Sequence, residues 1–131
     1  MNAAVHSDSD TAMVDIPTMR ETVAFLLGPD DDREVLPPAP AELDALTAML
    51  RGYLALVIPE VEEKVRQLPK DSVSSYCARA CIGEATRKLR VGDGDTQLIR
   101  VANARKLARS LKALCDHYER LTCEAPASEQ S

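Results

Sequence analysis

Aromatic residues are scarce in this chain. Its 131 residues include one Phe, three Tyr and no Trp, so that aromatics make up 3%. Proteins that bind single-stranded nucleic acid stack the bases on aromatic side chains, and this chain has almost no material for such a platform. Its core must be built from Leu, Val, Ile and Ala, which favours helices where Leu and Ala predominate.

Long hydrophobic runs and an export signal are also missing. No apolar run approaches the ~20 residues that span a bilayer. The N-terminal sequence MNAAVHSDSD has no basic segment followed by an apolar one, as a secretory signal would. We therefore expect a cytoplasmic protein with no membrane association, whose four cysteines are reduced thiols.

The sequence lacks a Gly-rich phosphate loop, a nucleophile motif and a metal-binding signature, which argues against an enzyme and against a cofactor. The net charge of −5 is unevenly distributed. Residues 1–71 contain six Lys or Arg against fourteen Asp or Glu, whereas residues 72–131 contain ten against seven. The basic half is interpreted either as solvated helix faces or as a surface that meets an acidic partner, including the chain's own run Asp30, Asp31 and Asp32.

Apolar periodicity predicts an all-α, single-domain helical bundle with three long helices and one short N-terminal helix. Residues 1–14 are predicted to be a disordered arm, 15–123 the bundle, and 124–131 a disordered tail. Within the bundle, an acidic, proline-rich linker is expected over 28–40. The helices are predicted at 17–27, 41–68, 72–89 and about 96–122, and no segment has the alternation of a strand.

Pro59 poses a problem for the second helix, because proline normally breaks a helix interior. The apolar stripe keeps its phase on both sides of Pro59, which itself projects to the opposite side. We therefore predict one kinked helix with Leu54 and Val61 on the same core. Two helices divided at 58/59 are the alternative.

Three sequence blocks together resemble a known family. They are LPPAPAELDALTAMLRGYLALVIPEVE, YCARACIGEATRKL and ARKLARSLKALCDHYERL. They are similar to small actinobacterial proteins of unknown function that are labelled natural product biosynthesis proteins, over about residues 19–121. The resemblance implies a role beside a specialised-metabolite pathway, and it assigns no reaction and no catalytic residue.

The cysteines are the first candidate site. Cys77 and Cys81 are predicted to lie on the core face of the third helix, with Cys81 the more buried, and Cys115 at the edge of the core stripe of the fourth. Three converging thiols would form a metal or redox site, but His117, the obvious fourth zinc ligand, projects ~160° away from Cys115. Core packing is the favoured interpretation, and Cys123 is expected to be the exposed, reactive thiol.

The segment CDHYE places Asp116, His117 and Glu119 close together. An acid–base group requires a base beside a nucleophile or a pocket, and no Ser or Thr is patterned beside His117. We therefore expect a surface-exposed helix end at which His117 and Arg120 interact with the helix dipole.

Two surfaces are candidates for partner binding. Arg105, Arg109 and Lys112 form a basic row opposite the leucine stripe of the fourth helix, with Arg87, Lys88 and Arg90 near it. Nucleic acid is the less favoured ligand for this row, because the pI is about 5.0 and no recognition motif is evident.

The second surface lies on the second helix, where Met49, Tyr53 and Leu56 flank the core stripe. These side chains either receive the first helix or form a surface for self-association or a partner. The functional hypothesis is a non-enzymatic accessory or regulatory protein that acts by protein–protein binding. The alternative is a helical protein whose Cys77, Cys81 and Cys115 bind metal or act in redox chemistry.

Overall fold

The computed structural model describes residues 14–28 and 36–130, with side chains as far as residue 123. Four helices occupy these ranges: α1 (Ile16–Leu27), α2 (Pro40–Arg66), α3 (Val73–Leu89) and α4 (Gln97–Gln130). No strand occurs in the described ranges. The all-α bundle of three long helices and one short one is therefore confirmed.

Side-chain caps mark the start of three of the four described helices, α1, α3 and α4. Asp15 caps α1 by accepting from the backbone N–H and the hydroxyl of Thr18. Ser72 caps α3 by accepting from the N–H of Ser75, and Thr96 accepts from the N–H of Ile99 at the start of α4. Each cap satisfies an N–H group that has no partner within the helix.

Helix α2 is continuous through Pro59, as predicted. Leu54 and Val61, before and after the proline, are both fully buried, while Pro59 is exposed. The missing hydrogen bond therefore falls on the side of the helix that faces away from the core, where helical hydrogen bonds are already long.

Helix α4 packs against all three other helices. The Arg20 guanidinium ties α1 to α4 by contacting Asp116 at 2.8 Å and Glu119 at 2.9 Å. The interior is aliphatic, and its largest fully buried side chains are Met19, Leu26, Leu27, Leu43, Leu50, Leu54, Leu111, Leu114, Leu121, Val57, Val61 and Cys115.

One predicted boundary was wrong. Helix α4 continues to Gln130, past the expected end near Thr122. Glu124, Ala125 and Ala127 are good helix formers and favour this extension despite the proline at 126. The predicted arm at 1–14 lies outside the described residues except for Val14, as does most of the linker with its run Asp30, Asp31 and Asp32.

Candidate protein-binding surface

The side of α2 that points away from the bundle is apolar. At ~100° per residue, Gly52 projects about 180° from the buried Leu43 and Val61. The exposed residues on this side repeat with heptad spacing over about 21 Å. We call them the outer face of α2: Ala45, Ala48, Met49, Gly52, Ala55, Leu56 and Pro59.

Helix α2 therefore has no polar face in its central turns. Arg51 is the single charged residue between Asp44 and Glu60. Its guanidinium turns to the α3–α4 loop, where it contacts Asp93 at 2.8 Å and donates to the carbonyl oxygens of Leu89 and Val91. A helix that is apolar on all sides is normally buried on all sides, yet the outer face of α2 is open.

Gly52 lies at the centre of this face. A Cβ atom at position 52 would meet nothing within 4 Å, and the backbone does not adopt a positive φ there. Glycine inside a helix costs roughly 1 kcal/mol relative to alanine, and neither steric crowding nor backbone geometry within the described chain requires it. With Ala48 and Ala55 beside it, Gly52 leaves a shallow notch in which another backbone can approach closely.

The three sequence-predicted residues of α2 divide into two groups. Met49 and Leu56 are 43% and 36% exposed, so α1 does not cover them. Tyr53 is partly buried and packs against the core. The structure therefore places Met49 and Leu56 on the outer face and assigns Tyr53 to the edge of the core.

The residues of the predicted basic row differ in exposure. Arg109 and Lys112 are exposed, whereas Arg105 is partly buried. The Nε of Arg105 donates to the Leu26 carbonyl at the end of α1, at 3.2 Å. Arg105 thus satisfies a C-terminal carbonyl of α1 and also serves the fold.

The structure places the three candidate thiols in different environments. Cys77 is exposed, Cys81 is half-buried and Cys115 is fully buried. The prediction of Cys77 as a core residue was wrong, because the buried stripe of α3 is formed by Ser75, Ala78, Ile82 and Ala85 and Cys77 lies beyond its edge. The predicted order of Cys81 over Cys77, and the exposure of Cys123, are confirmed.

Burial sets the reactivity of these thiols. Removal from water raises the pKa of Cys115 to about 11 and raises that of Cys81 to a smaller degree. No group of three His, Cys, Asp or Glu side chains within the described residues is placed to hold a metal ion.

His117 is more buried than expected for a surface-exposed helix end. It is partly covered, its Nδ1 has no hydrogen-bond partner, and burial lowers its pKa. Its neighbours Asp116 and Glu119 hold Arg20. Two residues of the CDHYE segment therefore form a bridge between helices, which is a structural role.

Sequence reasoning missed the small residues of the outer face. Met49 and Leu56 were recognisable by their size. A single alanine or glycine gives no such signal, and the rest of the face consists mainly of these small residues: Ala45, Ala48, Gly52 and Ala55. The available signal was the absence of charge on α2 between Asp44 and Glu60, apart from Arg51.

Residues 17–123 match a family of unknown function, DUF6415. No curated protein and no solved structure matches the chain. Within the parts of the chain that the structure describes, no helix has the length and apolar character needed to cross a bilayer.

Proposed function

We propose that this chain, which belongs to the DUF6415 family, is a non-enzymatic accessory or regulatory protein that acts by binding another protein. The observation that carries the proposal is the outer face of α2, which is apolar and uncovered over four helical turns. Exposed apolar patches of this kind mark interaction surfaces.

The shape of the surface favours a helical partner. The outer face has the seven-residue repeat of Ala45, Gly52 and Pro59, with Met49 and Leu56 also seven residues apart. A heptad seam of small residues edged by two large ones accepts the side chains of a helix lying along it. The binding mode is therefore helix against helix, with the closest approach at Gly52.

The charges at the ends of the outer face favour a basic partner over a second copy. Glu42 and Asp44 precede the face, and Glu60, Glu62 and Glu63 follow it. Arg100 pairs with Asp44 and Arg66 with Glu63, which leaves Glu42, Glu60 and Glu62 without an ion pair among the described residues. Pairing two copies of α2 in either direction would place acidic ends together, whereas a helix with an apolar centre and basic ends is complementary.

The cellular setting is part of the proposal. The three blocks resemble actinobacterial proteins labelled natural product biosynthesis, which supports a partner that works beside a specialised-metabolite pathway in the cytoplasm. The acidic overall charge argues against nucleic acid as the ligand.

The proposal is tested by affinity capture from a lysate of the source organism with three forms of the chain. Leu56→Glu places a charge on the outer face, while the matched control Leu98→Glu alters an exposed leucine at the start of α4. We expect one specific protein to be held by the wild type and by Leu98→Glu. We expect Leu56→Glu to bind it at least about tenfold more weakly, which corresponds to ~1.4 kcal/mol.

Circular dichroism and thermal unfolding check that all three forms are folded. A partner held equally by the wild type and Leu56→Glu contradicts the assignment of the surface. If Leu56→Glu and Leu98→Glu lose partner binding equally, the assignment is contradicted as well.

A further inference from the structure

A different feature of the surface lies at the other edge of α2, apart from the outer face. A cleft of about 150 Å³ opens between α2, the α3–α4 loop and α4. Sites for drug-sized molecules measure roughly 300–1,000 Å³, so this cleft fits a small molecule only. Its lining residues include Arg51, Lys88, Val91, Asn103, Lys106 and Leu107.

The walls of the cleft are held by hydrogen bonds within the chain. Arg51 contacts Asp93 and the carbonyls of Leu89 and Val91, and the Asn103 amide donates to the carbonyls of Gly92 and Asp93. Hydrogen bonds from α2 and from α4 therefore hold the α3–α4 loop in place. A site whose walls are already in place has little ordering cost when a ligand binds.

Positive charge collects in this cleft although the protein is acidic overall. Asp93 balances Arg51, and Glu84 contacts Lys88 at 3.0 Å. The exposed Lys106 has no ion-pair partner among the described residues. The cleft is therefore surrounded by two ammonium groups and one guanidinium, and one of these three positive charges has no neighbouring carboxylate. This arrangement attracts an anion.

Hydrogen-bond donors remain available to such an anion. A lysine ammonium has three N–H groups. Lys88 Nζ contacts Glu84 and lies 3.4 Å from Ser110 Oγ, which leaves one N–H group. Lys106 makes no hydrogen bond within the described residues and offers all three. The side chains of Val91 and Leu107 supply apolar surface beside them.

We infer that this cleft binds a small organic anion, in which a carboxylate or phosphate group contacts Lys88 and Lys106 and a short apolar body lies against Val91 and Leu107. This ligand site is separate from the partner surface and does not depend on it.

The test is a titration of the full chain followed by NMR of the backbone amides of Gly92 and Asn103. The probes are butyrate, butyl phosphate, inorganic phosphate and butanol. We expect saturable shifts at millimolar concentrations from butyrate, butyl phosphate or both, and the stronger of the two identifies the acidic group. Inorganic phosphate should bind more weakly than butyl phosphate, and butanol should cause no saturable shift.

Two variants of α4 complete the test. Lys106→Gln should lower the affinity for the organic anion by about tenfold. The matched change Lys112→Gln, on the other side of α4, should leave that affinity unchanged. The inference is overturned if neither organic anion gives a saturable shift or if butanol binds as well as the anions. Inorganic phosphate binding as tightly as butyl phosphate, or equal effects of the two variants, would also overturn it.

Discussion

Cys77 and Cys81 lie four residues apart on α3, yet their surroundings differ. Cys77 is exposed and Cys81 half-buried, while Cys115 on α4 is fully buried. Thiolate is the reactive form of cysteine. With a pKa of about 11, Cys115 is thiolate at pH 8 in only about one molecule in a thousand.

We therefore expect a thiol reagent applied to the native protein at pH 8 to label Cys77 and Cys123 quickly, Cys81 slowly and Cys115 last. Mass spectrometry of digested samples over time gives the four rates. The labelling of Cys115 should accelerate as the pH rises towards 11, because its thiolate fraction then increases. Rapid labelling of Cys115 at pH 8 would show that the thiol is not in a dry core.

Gly52 gives a second prediction at the residue scale. Gly52→Ala adds a methyl group in open space and restricts the unfolded chain, so it should stabilise the isolated protein by about 0.5–1 kcal/mol. Thermal unfolding measures the change.

Gly94 is the matched control. Its φ is +118°, and a Cβ atom there would come within 2.5 Å of Ile99 Cγ2. Gly94→Ala should therefore destabilise the fold, unlike Gly52→Ala. A destabilising Gly52→Ala would mean that the glycine serves the fold and not an external partner.

At the scale of the helices, the role of Arg105 distinguishes structural from binding charges. Its guanidinium donates to the Leu26 carbonyl at the end of α1. Hydrogen bonds from charged groups contribute about 1.5–3 kcal/mol, and partial exposure reduces this. Arg105→Ala should lower the free energy of unfolding by about 1 kcal/mol.

Lys112→Ala serves as the control for Arg105→Ala, because Lys112 is an exposed cation on the same helix. Urea unfolding of both variants gives the comparison. Equal stability of the two variants would argue that the contact between Arg105 and Leu26 contributes nothing in solution.

The helices themselves could be predicted from the sequence because their apolar stripes are regular. The phase of Leu54 and Val61 across Pro59 was enough to predict a continuous α2. The buried side of helix α3 was harder to predict, because its buried stripe contains Ser75 while Tyr76 is exposed. With so few large apolar residues, the edge of the buried stripe of α3 was misjudged, and Cys77 was placed inside the stripe although it is exposed.

The candidate surfaces were less predictable than the fold. Met49 and Leu56 were found by size, but whether α1 covered them depended on how the helices pack. The cleft beside Lys106 could not be predicted, because it depends on the path of the α3–α4 loop and on the hydrogen bonds from Arg51 and Asn103 that fix it.

For the whole molecule, the distinctive feature is that the uncovered side of α2 is apolar. Helix α2 packs its inner side against α1, α3 and α4, while the outer face from Ala45 to Pro59 is exposed and apolar. A helix of this composition is expected in the interior of an assembly. We therefore propose that the chain is one part of a complex whose other part supplies a helix.

The most direct test is site-specific photo-crosslinking in the source organism. A photoreactive amino acid replaces Ala55 on the outer face or, as the control, Ala102, an exposed alanine on α4. We predict that position 55 yields a discrete adduct containing a second, different protein and that position 102 does not. No adduct at position 55, the same adduct from both positions, or an adduct of two copies of this chain would contradict the account.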